Sequence, residues 1–346
     1  MIRVGIAGTG FMGWIHYLAY QKVKGVKLAA VADPIKKRLE GDWRDIKGNF
    51  GPPGEMIDLS GVATYSDYND MFADPNVDMV DICLPPSMHA NAAVAASKAG
   101  KHVLCEKPMA MTTADCRRMV DAAGRAGKQL CIGHVLTFLP EYAQVIKLVE
   151  TGKYGKLLGG TFKRVISDPL WLKDFYEPNG CGGPMLDLHI HDAHLIRVLF
   201  GMPVAVSSRG RMRGEVVEYF NSFFHFDDPR IVVSAVSGVI NQQGRPFTHG
   251  FEIHFEKATL LYELAVIGDG VEVQPLRILT STGKVLTPKL GDGDMPPAFA
   301  REIKEVVRSV NANEPSPLLS GDLARDAIIL GHKQTESVKK GKVVKI

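Results

Sequence analysis

The first 33 residues of the chain alternate an apolar run, a glycine-rich turn, a helical segment and a second apolar run. Residues 2–7 are predicted to form a strand, and the turn Gly8-Thr9-Gly10-Phe11-Met12-Gly13 follows it directly. A helical segment over residues 14–24 then leads to a second predicted strand, residues 27–32, which ends at Asp33. A strand–turn–helix–strand unit of this length places both strands in one parallel sheet, so this stretch constrains the fold more than any other.

Each glycine of the turn has a physical role in binding a dinucleotide. Gly8 permits the tight turn, Gly10 lets the backbone approach a pyrophosphate, and Gly13 lets the helix lie close to its strand. The helix amino terminus offers unpaired N–H groups and the positive end of its dipole to the phosphates. An ordinary strand–helix turn is the alternative, but the flanking elements and the acidic residue favour a nicotinamide-type cofactor. Phe11 and Met12, inside the turn, are predicted to contact it.

Asp33 bears on which nicotinamide cofactor the chain binds. A carboxylate at the tip of the second strand can accept hydrogen bonds from ribose hydroxyls and should repel a 2′-phosphate, which favours NAD. Lys36, Lys37 and Arg38 follow closely. Because basic side chains in that position can accept the extra phosphate, NADP stays an open alternative.

Composition narrows the class of protein. At 346 residues the chain is long for one core and suits two domains. Its 45% hydrophobic residues include no run that approaches a membrane span, and a net charge of +3 is too small to indicate a nucleic-acid partner. The five cysteines lack a paired spacing, and Arg3 interrupts the start where a signal peptide would begin. We therefore expect free thiols, a cytoplasmic location and no membrane partner.

Strands and helices alternate as far as residue 133. Further strands are predicted at residues 62–64, 77–84, 101–105 and 129–132, with helices between them. This alternation indicates a parallel, doubly wound sheet with helices on both faces, and hence an α/β Rossmann domain over residues 1–133. Residues 34–58 interrupt the pattern and are predicted to form a short helix and a long surface loop.

From residue 134 the pattern changes to longer strands with a few helices. Phe251, Ile253 and Phe255 alternate with polar neighbours, which is typical of a sheet with one solvated face. Residues 134–346 are therefore predicted to form an α+β domain with a large open mixed or antiparallel sheet, which binds substrate and mediates oligomerisation. Because an open sheet leaves one face uncovered, a homodimer or homotetramer is expected. Strands are predicted at residues 156–166, 204–213, 215–226, 230–240, 250–255, 259–264 and 271–279, and helices at residues 141–150, 185–200, 297–311 and 322–339.

Two polar segments follow predicted strands of the first domain. In a doubly wound sheet, ligands bind beyond the carboxyl ends of the strands. Lys107 can there reach the nicotinamide ring or a substrate hydroxyl as a point charge with three donors. A solvated lysine is an equal alternative from the residues alone. The neighbouring residues predicted to contact the cofactor are Leu84, Pro85, His89 and Glu106.

A third segment, residues 180–194, carries a carboxylate and several imidazoles at the start of a predicted helix. Asp187 and His191 are four residues apart and so lie on one helical face. A carboxylate beside an imidazole raises its basicity, which suits a general base. A metal site from these two residues and His194 has the helical spacing, but no further ligand cluster supports it, so no metal is predicted. Structural histidines at a domain interface are the other alternative.

These motifs together resemble those of the glucose–fructose oxidoreductase / inositol dehydrogenase (Gfo/Idh/MocA) family, over nearly the whole chain. The glycine turn, the Glu106-Lys107-Pro108 element and the helix that carries Asp187 and His191 bear the resemblance. It implies a Rossmann domain followed by an open-sheet domain, and NAD(P)-dependent oxidation or reduction of sugars and cyclic polyols. It also implies that Lys107, Asp187 and His191 form the catalytic group, with the histidine accepting the hydroxyl proton. Two further residues are predicted to contact the substrate, Arg164 and Trp171.

The chain departs from the family pattern at two positions. Thr137 stands where many members carry an arginine, and Cys181 interrupts a run that is often all glycine. Both lie near the expected substrate cleft, so the resemblance does not identify the substrate. Some members are NAD-retaining glycosidases that oxidise a sugar transiently, and others are non-catalytic binding proteins. Both kinds of protein are therefore alternatives to a dehydrogenase.

Overall fold

The computed structural model describes residues 1–290 and 295–346, with side chains for residues 1–290 and 297–346. The chain divides into two compact units. The first contains Met1–Phe138 and residues 295–325, and the second contains residues 139–290 and Asp326–Ile346. Each unit has its own sheet.

The first unit is built on a parallel sheet. Its strands are β1 (Ile2–Ala7), β2 (Val26–Ala32), β3 (Ala63–Tyr65), β4 (Met79–Ile82), β5 (His102–Glu106) and β6 (Leu130–Gly133). Within the described residues they lie in the order β3-β2-β1-β4-β5-β6, and each pairs in parallel with its neighbours. The strand order changes direction between β1 and β4, which makes that edge of the sheet the expected ligand site. The predicted doubly wound sheet is confirmed.

The helices of this unit begin and end where local sequence chemistry dictates. Thr112 accepts a hydrogen bond from the Asp115 amide and caps one helix, which ends at Gly127 with a φ of +64°. Pro86 occupies the first turn of another, where its missing N–H costs nothing. The elements are α1 (Phe11–Tyr20), α2 (Lys36–Leu39), α3 (Tyr68–Ala73), α4 (Pro86–Lys98), α5 (Thr113–Ala126) and a 3₁₀ turn (Val135–Phe138).

The segment after β2 contains the predicted short helix, α2, and a long, mostly exposed loop, and a few buried side chains anchor this loop to α1. Trp43 is fully buried, and its ring packs edge-on against Trp14 and Tyr17 with centroid separations of 6.1 and 5.3 Å. Its indole N–H donates to the Arg38 carbonyl at 2.8 Å. The apolar area of one tryptophan therefore anchors a stretch whose glycines and prolines had indicated a solvated loop.

The first unit also contains α8 (Met295–Ala312), which lies far from β6 in sequence. Phe299 of α8 packs 5.6 Å from the ring of His16 on α1 and stacks on Phe50 at 5.7 Å. The predicted boundary after residue 133 had assigned this helix to the second domain. The structure places it with the first unit, because its apolar face packs on α1.

The second unit is built on a mixed sheet. Its strands are β7 (Leu157–Ser167), β8 (Ala205–Arg213), β9 (Val216–His225), β10 (Val232–Ile240), β11 (Phe247–Phe255), β12 (Ala258–Ile267), β13 (Gly270–Thr280), β14 (Val285–Leu286) and β15 (Val344–Lys345). Over the part of the chain that is described, their order is β14-β13-β12-β11-β7-β10-β9-β8-β15. β7 and β10 pair in parallel and the other neighbours are antiparallel, which confirms the predicted open sheet.

The two faces of this sheet differ in burial. One row across it is wholly buried: Phe224, Val233, Gly160, Ile253, Leu260 and Ile278. The adjacent row is exposed or half-exposed: Phe223, Ser234, Thr161, Glu252, Leu261 and Arg277. Alternation with a period of two therefore separates a core face from an outer face.

Helices belonging to the second unit are α6 (Pro140–Thr151), α7 (Ile190–Phe200) and most of α9 (Gly321–Lys340), whose first turn lies in the first unit. Tyr142 of α6 stacks on His249 of β11 at 5.7 Å, and its hydroxyl lies 2.7 Å from that ring's Nδ1. Among the described helices, none is long and apolar enough to cross a membrane.

Candidate functional site

The glycine turn of the first unit leaves room for a ligand at one glycine and none at the other two. Gly8 has a φ of +91°, and a Cβ there would come within 2.7 Å of the Cys83 carbonyl oxygen. A Cβ on Gly13 would overlap the Gly8 carbonyl oxygen, whereas a Cβ on Gly10 would meet no atom within 4 Å. Backbone atoms therefore fill the space next to Gly8 and Gly13. The space next to Gly10 is open, as the close approach of a pyrophosphate requires.

The amino terminus of α1 continues this opening. Gly10 is its N-cap and supplies no side-chain hydrogen bond, and the first turn contains no acidic residue. The first amide N–H groups of α1 are thus available to a ligand, and the helix dipole favours an anion at this end of the helix. Phe11 and Met12 are half-buried in this first turn. The residues present fit the diphosphate of a dinucleotide.

Asp33 lies beside this turn and is buried. Its Oδ2 accepts hydrogen bonds from the Thr9 amide at 2.9 Å and the Thr9 hydroxyl at 2.7 Å, and its Oδ1 accepts from the Ile35 amide. Arg38 donates to the Thr9 carbonyl at 2.8 Å and lies 4.0 Å from Oδ2. The acid predicted to bind ribose is therefore fixed against the turn, with one basic side chain drawn in next to it.

His89 ties two loops together. It is fully buried on α4, and its ring nitrogens lie 2.9 Å from the Pro108 carbonyl oxygen and 2.8 Å from the Leu84 carbonyl oxygen. Leu84 and Pro85 themselves lie at the surface end of β4. The ring of His89 thus supports the loop backbones from behind, and this corrects its predicted role as a direct cofactor contact.

Glu106 and Lys107 follow at the end of β5, and their exposure differs. Glu106 is only 6% exposed, and its Oε2 accepts a hydrogen bond from the Lys107 amide at 3.1 Å. Its other oxygen lies 3.0 Å from Nε2 of His16. Lys107 is half-buried. The carboxylate of Glu106 is directed into the core, so its predicted cofactor contact is also corrected, while Lys107 keeps its place at the carboxyl edge of the sheet.

In the second unit, Asp187 lies on a π-helical turn (Pro184–Leu188), and His191 lies in the first turn of α7. The His189 amide donates to the Pro184 carbonyl at 2.8 Å, which widens this turn by one residue. Both Asp187 and His191 are half-buried. The single regular helix predicted over residues 185–200 is therefore wrong at its start, and the irregularity falls on Asp187, one of the predicted catalytic residues.

Two glycines make this turn possible. Gly182 and Gly183 both have positive φ, +73° and +67°, which L-residues with a side chain rarely adopt. A Cβ on Gly183 would also come within 3.0 Å of the Val216 side chain. The π turn therefore begins after two residues with positive φ, a backbone conformation that glycine adopts readily.

Arg164 does not contact solvent, and this corrects its predicted role in binding substrate. It is 3% exposed on β7, and its Nε and Nη2 donate to the two carboxylate oxygens of Asp192 at 2.7 and 3.0 Å. Burial opposes the charge, but Asp192 outweighs it and raises the pKa of Arg164. Because Asp192 follows His191 directly, this ion pair fixes the start of α7 to the central strand.

His189 is a second anchor for the π turn. Its Nε2 lies 3.0 Å from the side-chain amide nitrogen of Gln334 on α9, which also donates to Ser222 at 2.9 Å. Burial lowers the pKa of His189 to about 4, so the ring is neutral at physiological pH.

The loop before the π turn is held at one end by Asp168. This carboxylate accepts hydrogen bonds from Tyr176 at 2.9 Å and from Arg213 at 2.7 Å, and the Arg213 guanidinium lies 4.0 Å from the Tyr176 ring. Trp171 projects from the same loop with 68% of its surface exposed. The predicted substrate contact is thus an exposed ring on an otherwise tethered loop.

The predicted residues therefore divide between the two units. The first contains the glycine turn, Asp33 and Lys107, and the second contains Asp187, His191 and Trp171. The alternative metal set of Asp187, His191 and His194 is not a close group of potential ligand atoms. Among the described residues, one group has potential ligand atoms within 4.8 Å of one another, namely His16, Asp81 and Cys83.

Several supporting residues were missed at the sequence level. Their partners are distant in the chain, 28 residues for Arg164 and Asp192 and 145 for Gln334 and His189. A usable signal existed for His16, which lies one helical turn after Gly13 and hence on the face of α1 that packs on the sheet.

Two family models match the chain, one in each unit. Residues 2–134 match the model described as oxidoreductase family, NAD-binding Rossmann fold, and residues 142–261 match the GFO/IDH/MocA C-terminal domain. The chain belongs to the Gfo/Idh/MocA family. The predicted family is thereby confirmed, and so are the nicotinamide cofactor and the class of enzyme, an NAD-dependent oxidoreductase.

Similar proteins of this family act on several compounds. The chain is 27% identical to myo-inositol 2-dehydrogenase of Thermotoga maritima over 100% of this chain and 98% of that protein. It is 32% identical to levoglucosan dehydrogenase of Pseudarthrobacter phenanthrenivorans over 60% of this chain and 53% of that protein. A solved levoglucosan dehydrogenase in complex with NADH and levoglucosan has a TM-score of 0.79 at 21% identity, over 100% of this chain and 99% of that one. The similarity to this solved structure shows a shared fold.

The glycine turn of this Gfo/Idh/MocA protein allows a matched pair of substitutions. Gly10→Ala adds a methyl group in open space, so the melting temperature should not change, while NADH affinity should fall about tenfold or more because the methyl separates the backbone from the pyrophosphate. Gly13→Ala overlaps the Gly8 carbonyl and should lower the melting temperature as well. Thermal unfolding and NADH fluorescence titration measure both; parental NADH affinity in Gly10→Ala would show that the pyrophosphate lies elsewhere.

Proposed function

We propose that this protein is an NAD-dependent dehydrogenase that oxidises a secondary hydroxyl of a sugar or cyclic polyol, or reduces the corresponding ketone. The observation that supports this most is the half-buried pair of Asp187, on a π turn, and His191, in the first turn of α7, in a chain whose other unit is an NAD-binding domain. π turns occur frequently at functional sites. The relatives named for inositol and levoglucosan indicate the substrate class.

His191 is the proposed general base. Its imidazole accepts the hydroxyl proton, and Asp187, four residues earlier, orients the ring and favours its charged form. Lys107 donates a hydrogen bond to the same oxygen and stabilises the negative charge that develops on it. NAD, when bound, accepts the hydride from the carbinol carbon. In the reductive direction His191 returns the proton.

The surroundings of His191 support a fixed position for this base. The Arg164–Asp192 ion pair holds the next residue of α7 against β7, and Gln334 holds His189 on the preceding side. A base that is held on both sides along the chain loses little freedom when substrate binds. We therefore propose a positioning role for Arg164 rather than substrate contact, while Trp171, being exposed, is a proposed substrate contact.

A panel of cyclic polyols, free sugars, anhydrosugars and aryl glycosides tests the function, with NADH formation and aglycone release followed together. We expect net NADH formation with at least one polyol or sugar. Aglycone release without net NADH would instead identify an NAD-retaining glycosidase, and NADH binding without turnover of any compound would indicate a sensor.

His191→Ala tests the mechanism on the best substrate of that panel. Loss of a general base typically lowers kcat by about 10²–10⁴-fold, and NADH affinity should stay near that of the parent. His254→Ala, a half-exposed histidine on β11, is the matched control and should retain parental kcat. Asp187→Asn should move the rise of the pH–rate profile to lower pH, because the imidazole loses an anionic neighbour. Parental kcat in His191→Ala would make His191 structural.

We propose NAD rather than NADP as the preferred cofactor. Asp33 lies against the glycine turn, where a carboxylate repels a 2′-phosphate, and Arg38 is turned towards Thr9 and Asp45. NADH should therefore bind more tightly than NADPH in fluorescence titrations, and Arg38→Ala should leave the ratio of the two affinities nearly unchanged. Tighter NADPH binding that is lost in Arg38→Ala would reverse the assignment.

We also propose that the outer face of the second sheet is covered by a second copy of the chain. Phe223 and Val232 lie on this face on the neighbouring strands β9 and β10 and are 53% and 65% exposed, and a contiguous exposed apolar patch favours a partner surface. Light scattering at micromolar concentration should give a dimer or tetramer. Phe223→Glu should dissociate it, whereas the charge change Lys22→Glu on the first unit should not; a monomeric parent would contradict this.

A further inference from the structure

A buried charged cluster lies where α1 packs on β4 and β5 in the first unit. The side chains of His16, Asp81 and Glu106 are at most 8% exposed. Nδ1 of His16 lies 2.8 Å from an oxygen of Asp81, and Nε2 lies 3.0 Å from an oxygen of Glu106. Each ring nitrogen of this histidine therefore faces a carboxylate.

This geometry defines the protonation state of the ring. Nδ1 lies at hydrogen-bond distance from Asp81, whereas the contact between Nε2 and Glu106 is an ion pair without hydrogen-bond geometry. Because a carboxylate offers no proton, two carboxylates next to the ring nitrogens favour the ring with a proton on both. A neutral ring would point a lone pair at one of the anions. Burial alone would lower the pKa of His16, but the attraction of Asp81 outweighs burial and holds that pKa well above its usual value.

Other titratable groups contact the cluster, and Cys83 Sγ lies 3.6 Å from Nδ1 of His16 itself. Tyr20 donates its hydroxyl proton to Asp81 at 2.9 Å, and Cys83 Sγ lies 3.5 Å from the other oxygen of that carboxylate. Glu302 of α8 is fully buried, and its two oxygens have no hydrogen-bond partner among the described residues. Burial, and then the like charge of Glu106, raise the pKa of Glu302 well above its usual value.

Glu106 transmits the position of His16 to Lys107. Its second oxygen accepts the hydrogen bond from the Lys107 amide at 3.1 Å. Gly133 on β6 packs beside it, and a Cβ there would come within 2.8 Å of Oε1. The carboxylate of Glu106 is therefore confined between the His16 ring, the backbone of Gly133 and the backbone of Lys107.

We propose that His16 is a positioning residue for the reaction: its imidazolium holds Glu106, and Glu106 holds the backbone from which Lys107 reaches the substrate oxygen. The inference rests on the role proposed above for Lys107. It also links the two ligand-binding parts of the unit, because α1 begins at the glycine turn and His16 lies on its inner face. Loss of the imidazolium should displace Lys107 while the turn stays intact.

A metal ion is the competing occupant of this cluster. One potential ligand atom each of His16, Asp81 and Cys83 lies within 4.8 Å of the others. A ligating imidazole must offer a bare nitrogen, however, and both nitrogens of His16 face carboxylates. The geometry therefore favours a charge bridge, and the metal content of the purified protein decides between the two. A stoichiometric metal that is lost in Cys83→Ser would overturn the proposal.

The charge state can be tested without any substrate. In the apo protein labelled with ¹⁵N-histidine, both ring nitrogens of His16 should remain protonated at a pH where exposed histidines are neutral. Glu106→Gln, which keeps the Asp81 contact, should move the Nε2 resonance and so assign it. A His16 ring with one unprotonated nitrogen in the parent at that pH would overturn the proposal.

A double-mutant cycle tests the positioning role. His16→Gln and Glu106→Gln should each lower kcat by about 10²-fold, the loss that a displaced reacting group can cause, while NADH affinity stays near that of the parent. The double variant should be no slower than the slower single variant, because both changes break one linkage. Tyr20→Phe removes another hydrogen bond of the same cluster and is the control: it should lower the melting temperature and retain kcat.

The outcomes separate this inference from the proposed function. A parent that turns over no member of the substrate panel would contradict the function, and the NMR measurement would still decide the state of His16. An active parent with additive losses, or with parental kcat in Glu106→Gln, would overturn the positioning role and leave the function standing. Should His16→Gln not fold, Glu106→Gln carries the same kinetic expectation alone.

Discussion

The contact between the backbones of Gly8 and Gly13 is the constraint on which the first unit depends. Because a side chain on either glycine would overlap a carbonyl oxygen, α1 lies as close to β1 as two elements can. That closeness opens the turn to a ligand at Gly10. The closeness of α1 to the sheet also brings His16, one helical turn after Gly13, within 3.0 Å of carboxylates on β4 and β5. The cofactor-binding turn and the support of Lys107 thus have one geometric origin.

Each unit contains a buried ion pair that joins a helix to the sheet beside a proposed catalytic residue. In the first unit it is His16 with Asp81 and Glu106, and in the second it is Arg164 with Asp192. Buried ion pairs add little net stability, because removing two charges from water costs about as much as their attraction returns. We infer that both pairs serve to hold Lys107 and His191 in place. Directional, charge-assisted hydrogen bonds suit this purpose better than apolar contacts do.

Local pattern was enough to predict most of the fold and part of the site. The glycine turn, the parallel strands and the alternating strands of the second sheet follow from periods of two and 3.6 residues, which any window of the sequence displays. The π turn could not be found this way, since Pro184–Leu188 has the composition of an ordinary helix start. Arg164 was predicted to contact the substrate because no residue near it in the sequence is its ion-pair partner. Glu106 and His89 were placed correctly at the strand ends, but the direction of their side chains depends on residues 19 to 90 positions away.

The packing of α8 on α1 has a consequence for how this protein is made. Phe299 and Glu302 complete the core beside His16, yet they are synthesised after β7 to β14 of the second sheet. A nascent chain that has just left the ribosome with its first six strands therefore exposes the apolar side of α1 until nearly 300 residues have been translated. The central strand β7 likewise pairs with β10 and β11, and the last residue of β11 is synthesised about 90 residues after β7. The first unit therefore cannot complete its core before α8 has been synthesised, and the second cannot do so before α9.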